Sequence, residues 1–137
     1  MRFAAFLAAA ACILSAAPAW AHHSFAAEFD AKKQIHLTGT VTRMEWTNPH
    51  AWIHMNVKNP DGKVTEWMIE AGTPNTLFRR GFTKDSLKRG VDIVVDGYQA
   101  KDGSNNASGR DVRLPDRHRQ FLGSSGTGAT SEENSGK

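Results

Sequence analysis

The sequence predicts a mainly β fold: a small five-stranded Greek-key barrel with one short helix between its third and fourth strands. Three observations predict it. Residues 35–71 break into three runs suited to strands, separated by turns that contain proline. One helix signature follows, with Thr73 and Pro74 at its start and Gly81 at its end. Two further β-rich runs come after it. Three strands, a helix and two strands is the order of an OB-fold, whose strand face and connecting loops bind ligands. A simple open antiparallel sheet carrying one helix is the alternative. Gly39 favours the OB-like barrel, because a long first strand must bend to join both sides of a closed sheet.

The elements run in order as follows. The first strand spans Ile35 to Trp46 and is rich in Thr and Val, with Gly39 marking a bulge or bend. Thr47-Asn48-Pro49 make a short turn, since a residue before proline is pushed out of the helical region. His50 to Lys58 form the second strand, Asn59-Pro60-Asp61-Gly62 a hairpin turn, and Lys63 to Ala71 the third strand. The helix is about two turns long, and Arg79 and Arg80 suit the negative end of its dipole. Val91 to Ala100 form the fourth strand, Lys101 to Gly109 a polar loop, and Arg110 to Leu114 the last strand, with a short extension at His118 to Leu122.

The chain has 137 residues, and its first 21 have the three parts of a secretion signal. Arg2 is the basic region, Phe3 to Ala17 the apolar region, and Ala19-Trp20-Ala21 the small-residue cleavage site. The apolar region is shorter than the roughly 20 residues of a spanning helix. Cys12 lacks the preceding leucine of a lipoprotein signal. The domain plan is therefore a signal peptide at 1–21, an N-terminal arm at 22–34, the barrel at 35–122 and a disordered Gly/Ser/Thr-rich tail at 123–137. Phe25 and Phe29 are apolar anchors by which the arm docks on the barrel. The exported chain is periplasmic, with no membrane span after cleavage. It loses its only cysteine with the leader, so it has no disulfide and no thiolate ligand. Its formal charge drops from +3 to +2 with Arg2, too little to argue for nucleic acid as a partner.

Cleavage after Ala21 makes His22 the first residue. A histidine with a free α-amine chelates through the amine and ring Nδ1. Amine and imidazole are both neutral ligands near neutral pH at little proton cost. A third nitrogen from His50 or His54 gives the T-shaped geometry that suits Cu(II), a histidine brace. His23 offers a second route through the amine, a main-chain amide and its own ring. His50 and His54 do not chelate together from an ideal strand, where their Cα atoms lie about 13 Å apart at roughly 3.3 Å per residue.

The segment from Trp46 to His54 concentrates unusual residues. With a strand period of two, His50, Trp52, His54 and Asn56 share one face, and Ala51, Ile53, Met55 and Val57 the other. Pairing Val57 with Val64 across the turn sets His54 opposite Trp67 and Trp52 opposite Ile69, with Met44 near Trp52. Alternation alone does not say which face is inside. Trp46, Trp52 and Trp67 are then either barrel core around a hydrogen-bonded His54, or an aromatic platform beneath the arm. Trp46, Asn48, Trp52 and Trp67 are the candidate ligand-binding residues. His36 reads as an exposed strand residue, and Arg117-His118-Arg119 as a solvated basic run. Nothing fixes the separation of Glu45, Glu66 and Glu70, so a hydrolase has little support. No nucleophile elbow, P-loop or dinucleotide fingerprint occurs. No residue is assigned a catalytic role.

Ala21-His22-His23-Ser24-Phe25, Trp46-Thr47-Asn48-Pro49-His50-Ala51-Trp52, Arg79-Arg80-Gly81-Phe82 and Gly97-Tyr98-Gln99-Ala100-Lys101-Asp102-Gly103 resemble a family of small exported proteobacterial proteins, a domain of unknown function. The resemblance covers nearly all of His22 to Gly123 and implies a periplasmic protein, without an activity or a catalytic residue. The topology is similar to that of periplasmic bacterial OB-fold proteins, which implies a ligand- or partner-binding module. Two readings follow. In the first, the protein binds copper through His22 and His50 or His54. In the second, a metal-free module uses Trp52, Trp67 and the 101–109 loop for a small molecule or a periplasmic protein partner.

Overall fold

A computed structural model describes residues 24–123 except 117. The expected leader, His22 and His23, and the expected tail beyond Gly123 lie outside the described residues.

Among the described residues the chain is mainly β, with six strands in one sheet and two short helices. Helix α1 covers Ser24–Glu28 and strand β1 Phe29–Glu45. Strands β2 (Trp52–Lys58) and β3 (Val64–Glu70) form a hairpin. Helix α2 (Pro74–Arg79) precedes β4 (Asp92–Ala100), β5 (Asn106–Arg113) and β6 (Arg119–Phe121). The sixth strand corrects the expected count of five: Arg119–Phe121 pairs with β5 as a strand of its own. The strand order is β3-β2-β1-β4-β5-β6, antiparallel throughout, and β3 also pairs in parallel with β5.

Strand β1 is longer than expected because it serves two neighbours. Phe29 to Thr40 pair with β4, and Gly39 to Glu45 pair with β2. Gly39 lies where the two sets overlap, and a Cβ there would come within 2.3 Å of the Asn56 carbonyl oxygen. Only glycine lets the backbones meet so closely. The irregularity in the β1–β2 pairing lies slightly further on, between Val41 and Arg43.

The core decides the question that alternation left open. Ala51, Ile53 and Met55 are fully buried, together with Val41, Ile69 and Val95. The His50/Trp52/His54 face therefore points outward. The hairpin register also corrects the expected pairing by one residue. Val57 faces Thr65, His54 faces Met68, and Trp52 faces Glu70. Trp67 pairs with Met55 and packs against the core, so Trp52 and Trp67 lie on opposite faces. Met44 pairs with Ile53 and packs inward as well. A one-residue slip moves every side chain to the other face, which is why the slip matters.

Helix α2 follows its sequence signals. The Thr73 hydroxyl accepts a hydrogen bond from the Thr76 amide at 3.1 Å, and Gly81 takes φ +82°. Leu77 is its buried residue. Arg80 lies 4.5 Å above the Phe121 ring and donates to the Gly123 carbonyl at 2.6 Å, which ties β6 to the helix.

Candidate functional site

The second apolar cluster lies outside the main core and holds α1. Phe25 and Phe29 pack with Tyr98 and Ala100. The Phe25 ring meets Tyr98 edge-on at 5.7 Å and Phe29 at 5.8 Å. The Lys101 amide donates to the Glu28 carbonyl at 2.9 Å, and the Lys101 ammonium donates to the Ala26 carbonyl. The arm's two phenylalanines thus dock α1 against the end of β4.

A cleft of about 370 Å³ opens between α1 and the outward face of β2 and β3. Trp52 and Met68 form one side, Glu28 of α1 and Phe29 at the start of β1 a second, and Lys101, Asp102 and Asn106 the β4–β5 side. That volume falls within the range of small-molecule sites. The Asp102 carboxylate accepts the Ser104 amide at 2.9 Å, and this hydrogen bonding holds it below the usual carboxylate range.

Beside the cleft the outward face carries cross-strand rows. Glu45, Trp52 and Glu70 form one row across β1, β2 and β3, and Arg43, His54 and Met68 the next. His54 is buried although it faces outward. An Arg43 nitrogen lies 3.1 Å from its Nε2 and 2.7 Å from Glu45. A Glu45 oxygen lies 3.4 Å from the same Nε2, and a Glu66 oxygen 3.5 Å from Nδ1. His50 lies just before β2, with Nδ1 3.0 Å from a Glu70 oxygen. Glu70 is pushed up to about 7, first by burial and second by the nearby Glu28 carboxylate.

A model of a family of unknown function, DUF6152, matches residues 10–109. The chain belongs to that family. The DUF6152 match includes His22, the Trp46–Trp52 segment and all of the cleft's lining residues. Among curated proteins none matches the chain.

The structure separates the expected site residues of this DUF6152 protein into distinct places. Trp52 lines the cleft, whereas Trp46 and Trp67 pack on the main core and Asn48 is exposed in the β1–β2 connection, at a cis bond to Pro49. His50 and His54 each have carboxylate partners of their own, Glu70 for the first and Glu45 and Glu66 for the second. Among the described residues no three His, Cys, Asp or Glu side chains are grouped to hold a metal ion. None of their helices is long and apolar enough to cross a membrane. Glu28, Met68 and Glu70 are cleft or near-cleft residues that sequence reasoning did not place. The signal for Glu70 was present, since Glu45, Glu66 and Glu70 stood out as carboxylates, and each proves to face a histidine.

Proposed function

We propose that this protein is an exported, periplasmic OB-like binding module that takes a small molecule in the cleft beneath α1. The cleft carries the reading: an apolar floor of Trp52 and Met68, rimmed by a few polar groups, is the usual build of a ligand site. The pairing order β3-β2-β1-β4-β5, with β5 returning in parallel to β3, supports the OB-like barrel. In such barrels the face of strands two and three and the loop between strands four and five bind ligands. The cleft uses those parts. Export rests on the leader read in residues 1–21. The test is a small-molecule screen by NMR on protein recovered from the exported fraction. Saturable shifts at Trp52, Met68 and Asn106 are expected, and they should vanish when Ala27→Phe fills the cleft. Shifts unaffected by that substitution would refute the site.

A second reading, copper bound through His22, is favoured by one observation. A Glu70 oxygen lies 3.0 Å from His50 Nδ1, the carboxylate-beside-imidazole placement common at metal-binding histidines, and Nε2 has no hydrogen-bond partner among the described residues. His54 instead has Arg43 and Glu45 at one ring nitrogen and Glu66 at the other. His50 is therefore the third ligand of this reading. Cu(II) affinity should fall at least about tenfold, roughly one lost ligand at 1.4 kcal/mol, in His50→Ala and stay level in His54→Ala. One alanine added before His22 should abolish the nitrogen-rich tetragonal EPR spectrum. Equal affinity in all four proteins would exclude the brace.

A further inference from the structure

We infer that the cleft takes a small organic cation, an alkylammonium with an apolar body, seated against the Trp52 indole. The inference rests on the cleft-binding reading above and adds the chemistry of the occupant. Trp52 lies in register between Glu45 on β1 and Glu70 on β3, so its ring is flanked by two carboxyl groups. Glu28 and Asp102 stand in the wall contributed by α1 and the β4–β5 loop. An electron-rich ring facing a wall that carries the Glu28 carboxylate is the arrangement that attracts a weakly hydrated cation, through the ring face and through charge together.

The positive groups nearby are already committed. The Lys101 ammonium donates to the Ala26 carbonyl, Arg43 lies 2.7 Å from Glu45, and His50 lies 3.0 Å from Glu70. Lys33 acts on Asp102, whose carboxylate also accepts the Ser104 amide. Glu28 has no ion-pair partner among the described residues, and it is the carboxylate that an incoming cation would meet. An anion would find only Lys101, turned to a carbonyl. A neutral apolar ligand would strip water from Glu28 and return nothing for it. Phe29 and Met68 accommodate the apolar body of an alkylammonium, and a thioether packs well on such surfaces.

The test uses three probes of one shape on the protein purified after expression of the full chain. They are choline, its neutral carbon isostere 3,3-dimethylbutan-1-ol, and the anion 3,3-dimethylbutanoate. The readout is the indole N–H resonance of Trp52. Choline should saturate that shift and bind at least about tenfold tighter than the alcohol, the scale of a desolvated cation–π contact. Glu28→Gln, on an exposed residue, should weaken choline about threefold or more and should not weaken the alcohol. An alcohol that binds as tightly as choline would overturn the cation inference and leave the cleft-binding reading standing. Tightest binding of the carboxylate, or choline binding indifferent to Glu28→Gln, would overturn it too. No shift of Trp52 with any probe would overturn the cation inference and leave the cleft-binding reading to its own screen.

Discussion

His36 and Asp96 face each other across β1 and β4, while His50 and Glu70 meet where β2 begins and β3 ends. Both pairs join an imidazole to a largely buried carboxyl, and burial pushes both carboxyls up. Around Asp96 the neighbours reverse that push. The His36 hydrogen bond and the charges of His36, Arg113 and Arg119 hold it below its ordinary 3.8. Arg119 comes from β6 and lies 3.5 Å away, and Arg113 comes from β5 at 3.6 Å. Around Glu70 the nearest added element is α1, which brings another carboxylate, Glu28, and the proton affinity rises further. The same two groups thus pin a sheet in one place and leave a poised proton site beside a cleft in the other. What differs is the element that packs against the pair.

The largest expected effect breaks the Glu70 side of this contrast. A carboxyl whose folded pKa is raised binds its proton more readily folded than unfolded. Stability therefore falls as pH rises between about 4.5 and about 7. In chelator-treated protein we expect a loss of about 1–3 kcal/mol across that window, the lower end because solvent reaches part of the carboxyl and screens it. Glu70→Gln should flatten the curve, measured by urea unfolding at a series of pH values. An unchanged slope in the variant would assign the pH dependence to other groups.

Asp96 should show the opposite sign. Its depressed pKa contributes stability that is present above 3.8 and lost as pH falls below it. Asp96→Asn should cost about 1 kcal/mol at neutral pH, the scale of one charge-assisted hydrogen bond, and should lessen the acid-side loss. Equal acid sensitivity in the variant and the parent would mean that His36, Arg113 and Arg119 do not act through Asp96.

Neither pair was legible in the sequence, although most of the elements holding them were. The turn at Asn59–Gly62, the Thr73 cap and the Gly81 stop rest on local chemistry, and local chemistry reads directly from residues. The start of β5 does not. Asn106-Ala107-Ser108-Gly109 looks like loop, yet it pairs with β4 on one side and β3 on the other. Its small residues answer to crowding: a Cβ on Gly97 would come within 2.2 Å of the Ser108 carbonyl oxygen, and one on Gly109 within 2.8 Å of Ile69. That constraint exists only once three strands are assembled. The hairpin register failed for a related reason. Both faces of β2 and β3 carry large side chains, so the pattern was consistent with two registers one residue apart. With the register wrong, Trp67 stood beside His54, and the row of Glu45, Trp52 and Glu70 stayed hidden.

The contrast sharpens in the smallest of the expected effects, because it asks how much of the Glu70 displacement belongs to α1. Burial is the larger cause and the Glu28 charge the smaller. Glu28→Gln keeps the helix, its Phe25 and Phe29 anchors and the cover they give, and removes only the charge. The Glu70 midpoint, followed by NMR of its side-chain carboxyl carbon, should therefore move back by less than half of its distance from 4.5. Phe25→Ala removes an anchor of the helix, and by loosening α1 it should relax both causes together and move the midpoint further. If Glu28→Gln alone returned Glu70 to its ordinary value, charge would be the governing cause. The two histidine pairs would then differ through one residue each instead of through the cover that α1 provides.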